Sequence, residues 1–188
     1  TMKLYYSPGA CSLSPHIVLH EAGLKHEAIM ASTKSHKLQD GTDYYNINPL
    51  GYVPFLVLDD GDTLHEGPAI IQYLADQAPE KNLAPANGTM ARYHLQEWLN
   101  FIGTALHKSF RPPFNPATPE DFKPAVKANL QKRLTWVNEQ LANKSYLMGD
   151  QFTVADAYLF TVTGWAQFVG LDISALNHIQ AYRERILA

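Results

Sequence analysis

Cysteine is almost missing from the chain: Cys11 stands alone among 188 residues. A single thiol excludes an intrachain disulfide framework and any cysteine-rich zinc or iron–sulfur centre. A lone free thiol also suits a reducing compartment, which points to the cytoplasm. Charge is sparse, at 18% against an average near 25%. Its balance is slightly acidic, with 15 Lys and Arg against 18 Asp and Glu. No basic excess is present to neutralise phosphates, so nucleic acids and anionic membranes are not expected partners. No apolar run approaches the roughly 20 residues of a membrane span. The N-terminal stretch Thr1–Tyr6 lacks the apolar core of a secretory signal. Thr1 ahead of Met2 reads as a cloning remnant or a start-site artefact. Hydrophobic residues make up 46%, which excludes wholesale disorder.

What is present falls into two patterns. In the first third, short elements alternate. Lys3–Ser7 predicts a strand ending at Pro8-Gly9. Ser14-Pro15 offers a cap and a first-turn proline for a helix that Gly23 stops. Glu27–Ala31 is a weak strand. Phe55–Leu58 is a strong one, closed by the turn Asp59-Asp60-Gly61-Asp62, with Thr63–His65 returning. Gly67–Ala78 reads as a helix. The order is β-α-β followed by β-β-α.

Ala78–Gly88, with two prolines and a glycine, is the best linker, and beyond it the pattern is helical. Leu95, Leu99, Ile102 and Leu106 form one stripe on a helix from Thr89 to about Phe110. Thr118-Pro119-Glu120-Asp121 reads as a capping box for a helix carrying Leu130, Leu134 and Val137, which Pro124 would bend. Phe152–Gly170 reads as a buried helix opened by a second capping box, Thr153 with Asp156. A last helix runs from about Ser174. The expected architecture is a small α/β domain followed by an all-helical one.

Cys11 is the first candidate for chemistry. It lies just before, or in the first turn of, a helix, where the dipole and unpaired amides lower a thiol's pKa. Free cysteines are more often buried packing residues. The flanking Pro8-Gly9-Ala10 turn and Ser12, which are not packing residues, tip the reading toward function; Cys11-Ser12-Leu13-Ser14 is also a Cys-x-x-Ser arrangement, and a pKa well below about 8.5 is expected. Val53-Pro54 opens the strong strand, where an ordinary trans turn is the commoner outcome. Glu66-Gly67 opens a helix, where amides can hold an anion, although a glutamate there is more often a dipole complement. Asn100, Thr104, His107 and Lys108 share a polar helix face, most simply a solvated one, that nevertheless holds an imidazole and an ammonium able to donate to an anion. His16 and His20 are spaced like a metal pair. No third ligand stands at good spacing, so they read as structural and no metal is expected.

Taken together, Lys3–His16, Asn48–Pro54, Glu66–Ile70, Glu97–Phe101, His107-Lys108 and Phe152–Tyr158 resemble a bacterial beta-class glutathione S-transferase along nearly the whole chain. The resemblance implies a thioredoxin-like glutathione-binding domain at 1–78, a linker at 79–88 and an all-helical domain at 89–188. It implies a cytoplasmic homodimer with glutathione as co-substrate. By it, Cys11 contacts the glutathione sulfur and can form a mixed disulfide with it, and His107 and Lys108 face that sulfur. Val53, beside a cis Pro54, pairs with the cysteinyl backbone. Glu66 and Gly67 take the γ-glutamyl group, and Asn100 reaches glutathione from a partner subunit. Thr153 and Asp156 form a folding cap.

The chain departs from the class in three places. His36 and Lys37 both stand where one lysine near the glycyl carboxylate is usual. Ala105 replaces a common acidic residue. The sequence ends at Ala188, before a short C-terminal segment. The expected activity is conjugation of glutathione to apolar electrophiles, a detoxification chemistry, with Phe110, Phe114, Trp165 and Phe168 as candidate lining for the second substrate. Glutathione-dependent disulfide or peroxide chemistry through Cys11 stands beside it. The alternative is a non-catalytic ligand-binding homologue.

Overall fold

The computed structural model describes residues 1–8 and 10–188, so the glycine of the expected Pro8-Gly9 turn lies outside the described residues. The chain forms two compact units, Thr1–Ala84 and Pro85–Ala188.

In the first unit, β1 (Met2–Tyr6) pairs in parallel with β2 (His26–Met30) and antiparallel with β3 (Phe55–Val57). β3 pairs antiparallel with β4 (Thr63–His65), giving the order β2-β1-β3-β4. Parallel neighbours need a crossover. α1 (Leu13–Ala22) supplies it and stops where Gly23 adopts φ 68°. The hairpin closes with the Leu58 amide donating to the Asp62 carbonyl at 2.8 Å. α2 (Gly67–Asp76) then packs beside α1, with Ile70, Ile71 and Leu74 fully buried. The helix after β1 begins at Leu13 and not at the expected Ser14-Pro15 cap. Ser12 is its N-cap residue and makes no capping bond with its side chain.

The second unit is helical. α3 (Met90–Phe101) starts at Thr89, whose side chain accepts from the Arg92 amide. The helix does not end near Phe110. It passes through a π-helical stretch, Ile102–His107, into α4 (Lys108–Phe114). The stripe Leu95, Leu99, Ile102 and Leu106 is buried throughout.

α5 (Lys123–Gln140) corrects two expectations. The Thr118 box caps nothing, because the helix starts four residues beyond Pro119, and Glu120 pairs with Lys123 at 2.8 Å instead. Pro124 falls in the first turn, where its missing amide would be unpaired anyway, so it bends nothing. α6 (Val154–Thr163) is buried at every residue but Phe160 and opens on the expected capping box of Thr153 and Asp156. It ends at Thr163, short of Gly170, because the chain turns at Gly164 into a 3-10 segment, Ala166–Val169. α7 (Asn177–Leu187) closes the unit. Among the described residues, no helix is long and apolar enough to cross a membrane.

Candidate active site

In the first unit three chain segments meet. The turn after β1 places Cys11 one residue ahead of the α1 N-cap. Ser12 closes that turn, its hydroxyl accepting from the Ser7 amide and donating to the Ser7 carbonyl, both at 3.1 Å. The Ser14 hydroxyl donates to the Cys11 carbonyl at 3.1 Å. Both serines of the Cys-x-x-Ser arrangement are thus turned to backbone, and their role is to shape the loop. The Cys11 thiol donates to the Val53 carbonyl at 3.3 Å. The Val53–Pro54 peptide is cis, as the family resemblance implied and the local sequence did not. The third segment is the start of α2. Gly67 lies with its α-carbon toward Pro54 and Ser14; a β-carbon there would meet Pro54 Cγ at 3.9 Å and Ser14 Oγ at 4.0 Å. Glu66, ahead of it, holds φ 70°, a backbone state costly for a residue other than glycine and frequent at functional sites.

The electrostatics of Cys11 overturn the expected low pKa. Burial pushes the thiol up to about 11; a backbone hydrogen bond opposes this, and the Glu66 charge adds to it. The amides at the start of α1 do not outweigh the loss of solvation. Cys11 is therefore a protonated thiol at neutral pH, a hydrogen-bond donor and not a standing nucleophile.

The loop leading to Val53 is held by residues that the sequence reading missed. The Tyr44 hydroxyl and the Asn48 side-chain amide both donate to the Tyr52 carbonyl, at 2.7 and 2.9 Å. Both side chains are fully buried. No spacing rule singles out Tyr44. Asn48-Pro49 carried a turn signal, but the carbonyl it would serve was not readable. In the same loop the His36 ring stacks on Tyr45, centroids 4.6 Å apart. Gly51 passes so close that a β-carbon would sit 2.7 Å from Tyr45 Cε1 and 2.9 Å from His36 Cδ2. His36 is committed to that packing, whereas Lys37 is exposed.

In the second unit the expected polar face divides. Asn100, Thr104 and Lys108 are exposed, but His107 is half-buried. The π-helical stretch is the reason, since its wider turn rotates later side chains away from where an uninterrupted α-helix would put them. The Lys108 amide reaches back to the Gly103 carbonyl. Arg133 on α5 donates to the Ala105 carbonyl and the Ser109 hydroxyl, each at 2.9 Å. His107 Nδ1 shares a 2.5 Å hydrogen bond with the Tyr158 hydroxyl of α6, and its ring meets Trp165 edge-on. Phe110 and Phe114 also pack edge-on against Trp165, while Phe168 is exposed. The Asn100 amide donates to its own helix at the Gln96 carbonyl, 2.9 Å away.

Comparison with known proteins matches these two units to two halves of one family. Residues 9–77 match the glutathione S-transferase N-terminal domain, and residues 92–188 match the glutathione S-transferase C-terminal domain. The chain belongs to the glutathione S-transferase family. GstA of Escherichia coli O157:H7 is 49% identical over 185 residues, spanning 98% of this chain and 92% of GstA. The solved ternary complex of BphK, a bacterial member, is 58% identical with a TM-score of 0.95, again over 98% of this chain and 92% of that one. Two structures from sphingomonads, the beta-class enzyme of Sphingomonas chungbukensis and an enzyme complexed with glutathione, are each 43% identical with TM-scores of 0.94, at the same coverage. The protein is thus a transferase of the beta-class kind, with a thioredoxin-like domain and a helical domain.

Proposed function

We propose that the protein binds glutathione in its first unit and conjugates it to apolar electrophiles. The observation that carries this reading is the Cys11 thiol, 3.3 Å from the Val53 carbonyl beside a cis proline, with the α2 start alongside. Conjugation needs a glutathione thiolate and not a protein one. A protonated Cys11 can donate to that sulfur, whereas a Cys11 thiolate would repel it. Val53 offers backbone groups to the cysteinyl part, and Glu66 with the Gly67 amide can take the γ-glutamyl group. Lys37, exposed where His36 is packed away, is the cation we assign to the glycyl carboxylate. His107 and Lys108 serve as further donors, and Asn100 reaches glutathione from a second copy. The sphingomonad relative solved with glutathione supports the choice of co-substrate. Phe110, Phe114 and Trp165 form the aromatic group on which an apolar substrate could rest.

A homodimer, a cytoplasmic setting and a role in detoxification complete the proposal. They rest on the class resemblance, on exposed Met90 and Tyr93 along α3, and on the single free thiol. A second reading, disulfide exchange, is favoured by the contact of the Cys11 sulfur with the cis-proline loop. In that step Cys11 would displace one glutathione from oxidised glutathione, forming a protein–glutathione disulfide, and the leaving sulfur would take up the thiol's proton as reduced glutathione.

The deciding experiment assays Cys11→Ala with a chromogenic aryl halide and, separately, for disulfide reduction. Retained conjugation, lowered by about one to three decades at most, with loss of disulfide reduction is the expected result. Full disulfide reductase activity in Cys11→Ala would overturn the assignment of that chemistry to this thiol. Absence of conjugation by the unaltered protein across aryl and alkyl halides would overturn the primary reading.

A further inference from the structure

The first unit also holds a group of imidazoles on α1 and β2. His16 and His20 are four residues apart on α1, and His26 is the first residue of β2. The helix stop brings the third one in. Gly23 reverses the chain, with the Leu24 amide donating to the Leu19 carbonyl at 3.1 Å, and β2 then starts beside the last turn of α1. The spacing of sequence offered no third ligand for the His16–His20 pair; the fold supplies it. One ring nitrogen from each of the three residues lies within 4.8 Å of the other two. His16 stacks on His20 with centroids 5.1 Å apart, and His26 stands edge-on to both, at 5.8 and 5.3 Å.

We propose that His16, His20 and His26 form a binding site for a borderline divalent transition metal of the zinc type, facing solvent at the α1–β2 corner. Imidazole suits zinc, nickel and copper, and three histidines with open positions are an established zinc ligand set. Tautomer state supports it. His26 Nδ1 lies 2.9 Å from the Leu24 carbonyl, which can only accept. Nδ1 therefore carries the ring proton and Nε2 keeps its lone pair for a metal, the arrangement by which a second hydrogen bond orients a ligating histidine. Zinc–nitrogen bonds of about 2.0–2.1 Å place tetrahedral ligands about 3.4 Å apart, so the rings draw together by roughly 1 Å on binding. The exposed His20 is free to make that movement.

The experiment uses the full chain with any affinity tag removed. Zn2+ is titrated in competition with a chromophoric chelator, and Co2+ in parallel for its visible absorption. One ion per chain is expected, with a rise in Tm on adding Zn2+. His20→Ala, an exposed position that need not disturb folding, is expected to weaken binding by about tenfold or more. His178→Ala, an exposed histidine on α7, and Cys11→Ser are expected to bind as the unaltered protein does. Equal affinity in His20→Ala and the unaltered protein, an equal loss in His178→Ala, or no ion held against the chelator would each overturn the site.

Discussion

The Tyr44 hydroxyl donates to the Tyr52 carbonyl at 2.7 Å, one residue ahead of the cis Val53–Pro54 peptide. Asn48 donates to the same carbonyl, so two buried side chains fix one backbone oxygen and with it the entry to the Cys11 partner loop. Tyr44→Phe keeps the packing against Tyr5 and removes one donor. It should cost about 1 kcal/mol of stability, read by urea unfolding. It should also raise the KM for glutathione more than it lowers kcat, because the role proposed for the loop is to bind and not to react. An unchanged KM would separate Tyr44 from the site.

The pH dependence of Cys11 follows from its raised pKa. Because the folded thiol titrates near 11 and an unfolded one near 8.5, the folded state keeps its proton longer. The stability this provides is fully present below pH 8.5 and is lost as pH rises toward 11. Alkylation by iodoacetamide in the glutathione-free protein should accelerate through that upper range. A rate already at its plateau by pH 8 would show a thiolate that burial does not permit.

Asp156 is fully buried on α6 and accepts from the Leu147 amide, the Thr153 amide and the Tyr182 hydroxyl, at 2.9, 2.9 and 2.7 Å. Burial pushes its carboxyl up from the usual range, and those three donors pull it back. Asp156→Ala leaves all three without that acceptor in the core. We expect a loss of about 3–5 kcal/mol, measured by denaturant unfolding. Asp156→Asn should retain part of the stability. If Asp156→Ala unfolds within 1 kcal/mol of the unaltered protein, the cap is dispensable.

His107 and Tyr158 share a hydrogen bond at 2.5 Å, and only the imidazole is proposed to act on the reaction. His107→Ala should slow conjugation by about one to three decades. Tyr158→Phe should act through the imidazole and displace the pH profile of kcat with a smaller fall in rate. A pH profile left in place by Tyr158→Phe would limit Tyr158 to packing.

Much of this was legible because local chemistry and periodicity agree with the fold. The β-α-β and β-β-α order, the Asp59–Asp62 turn, the Gly23 stop and the Thr153–Asp156 box depend on near neighbours in sequence. The failures have physical causes of a different kind. Thr118 offers a cap, but tertiary packing starts the helix later. The π-helical stretch adds width to a turn that a fixed period of 3.6 cannot express, so His107 was placed on a solvated face. The low pKa expected for Cys11 counted the helix dipole and omitted desolvation, which depends on the whole surrounding fold. His26 joined His16 and His20 only through the chain reversal at Gly23.

Gly51 carries a last consequence, one of mutational tolerance. Its φ of 71° already disfavours side chains, and the Tyr45 and His36 rings fill the space a β-carbon would need. Gly41, also at positive φ, opens onto empty space. In a library sampling every residue at both positions, Gly41 should be the more tolerant, with asparagine and aspartate the least disfavoured at its positive φ. Gly51 should reject even alanine, because the smallest substituent must dislodge the ring pair that leaves Lys37 outward.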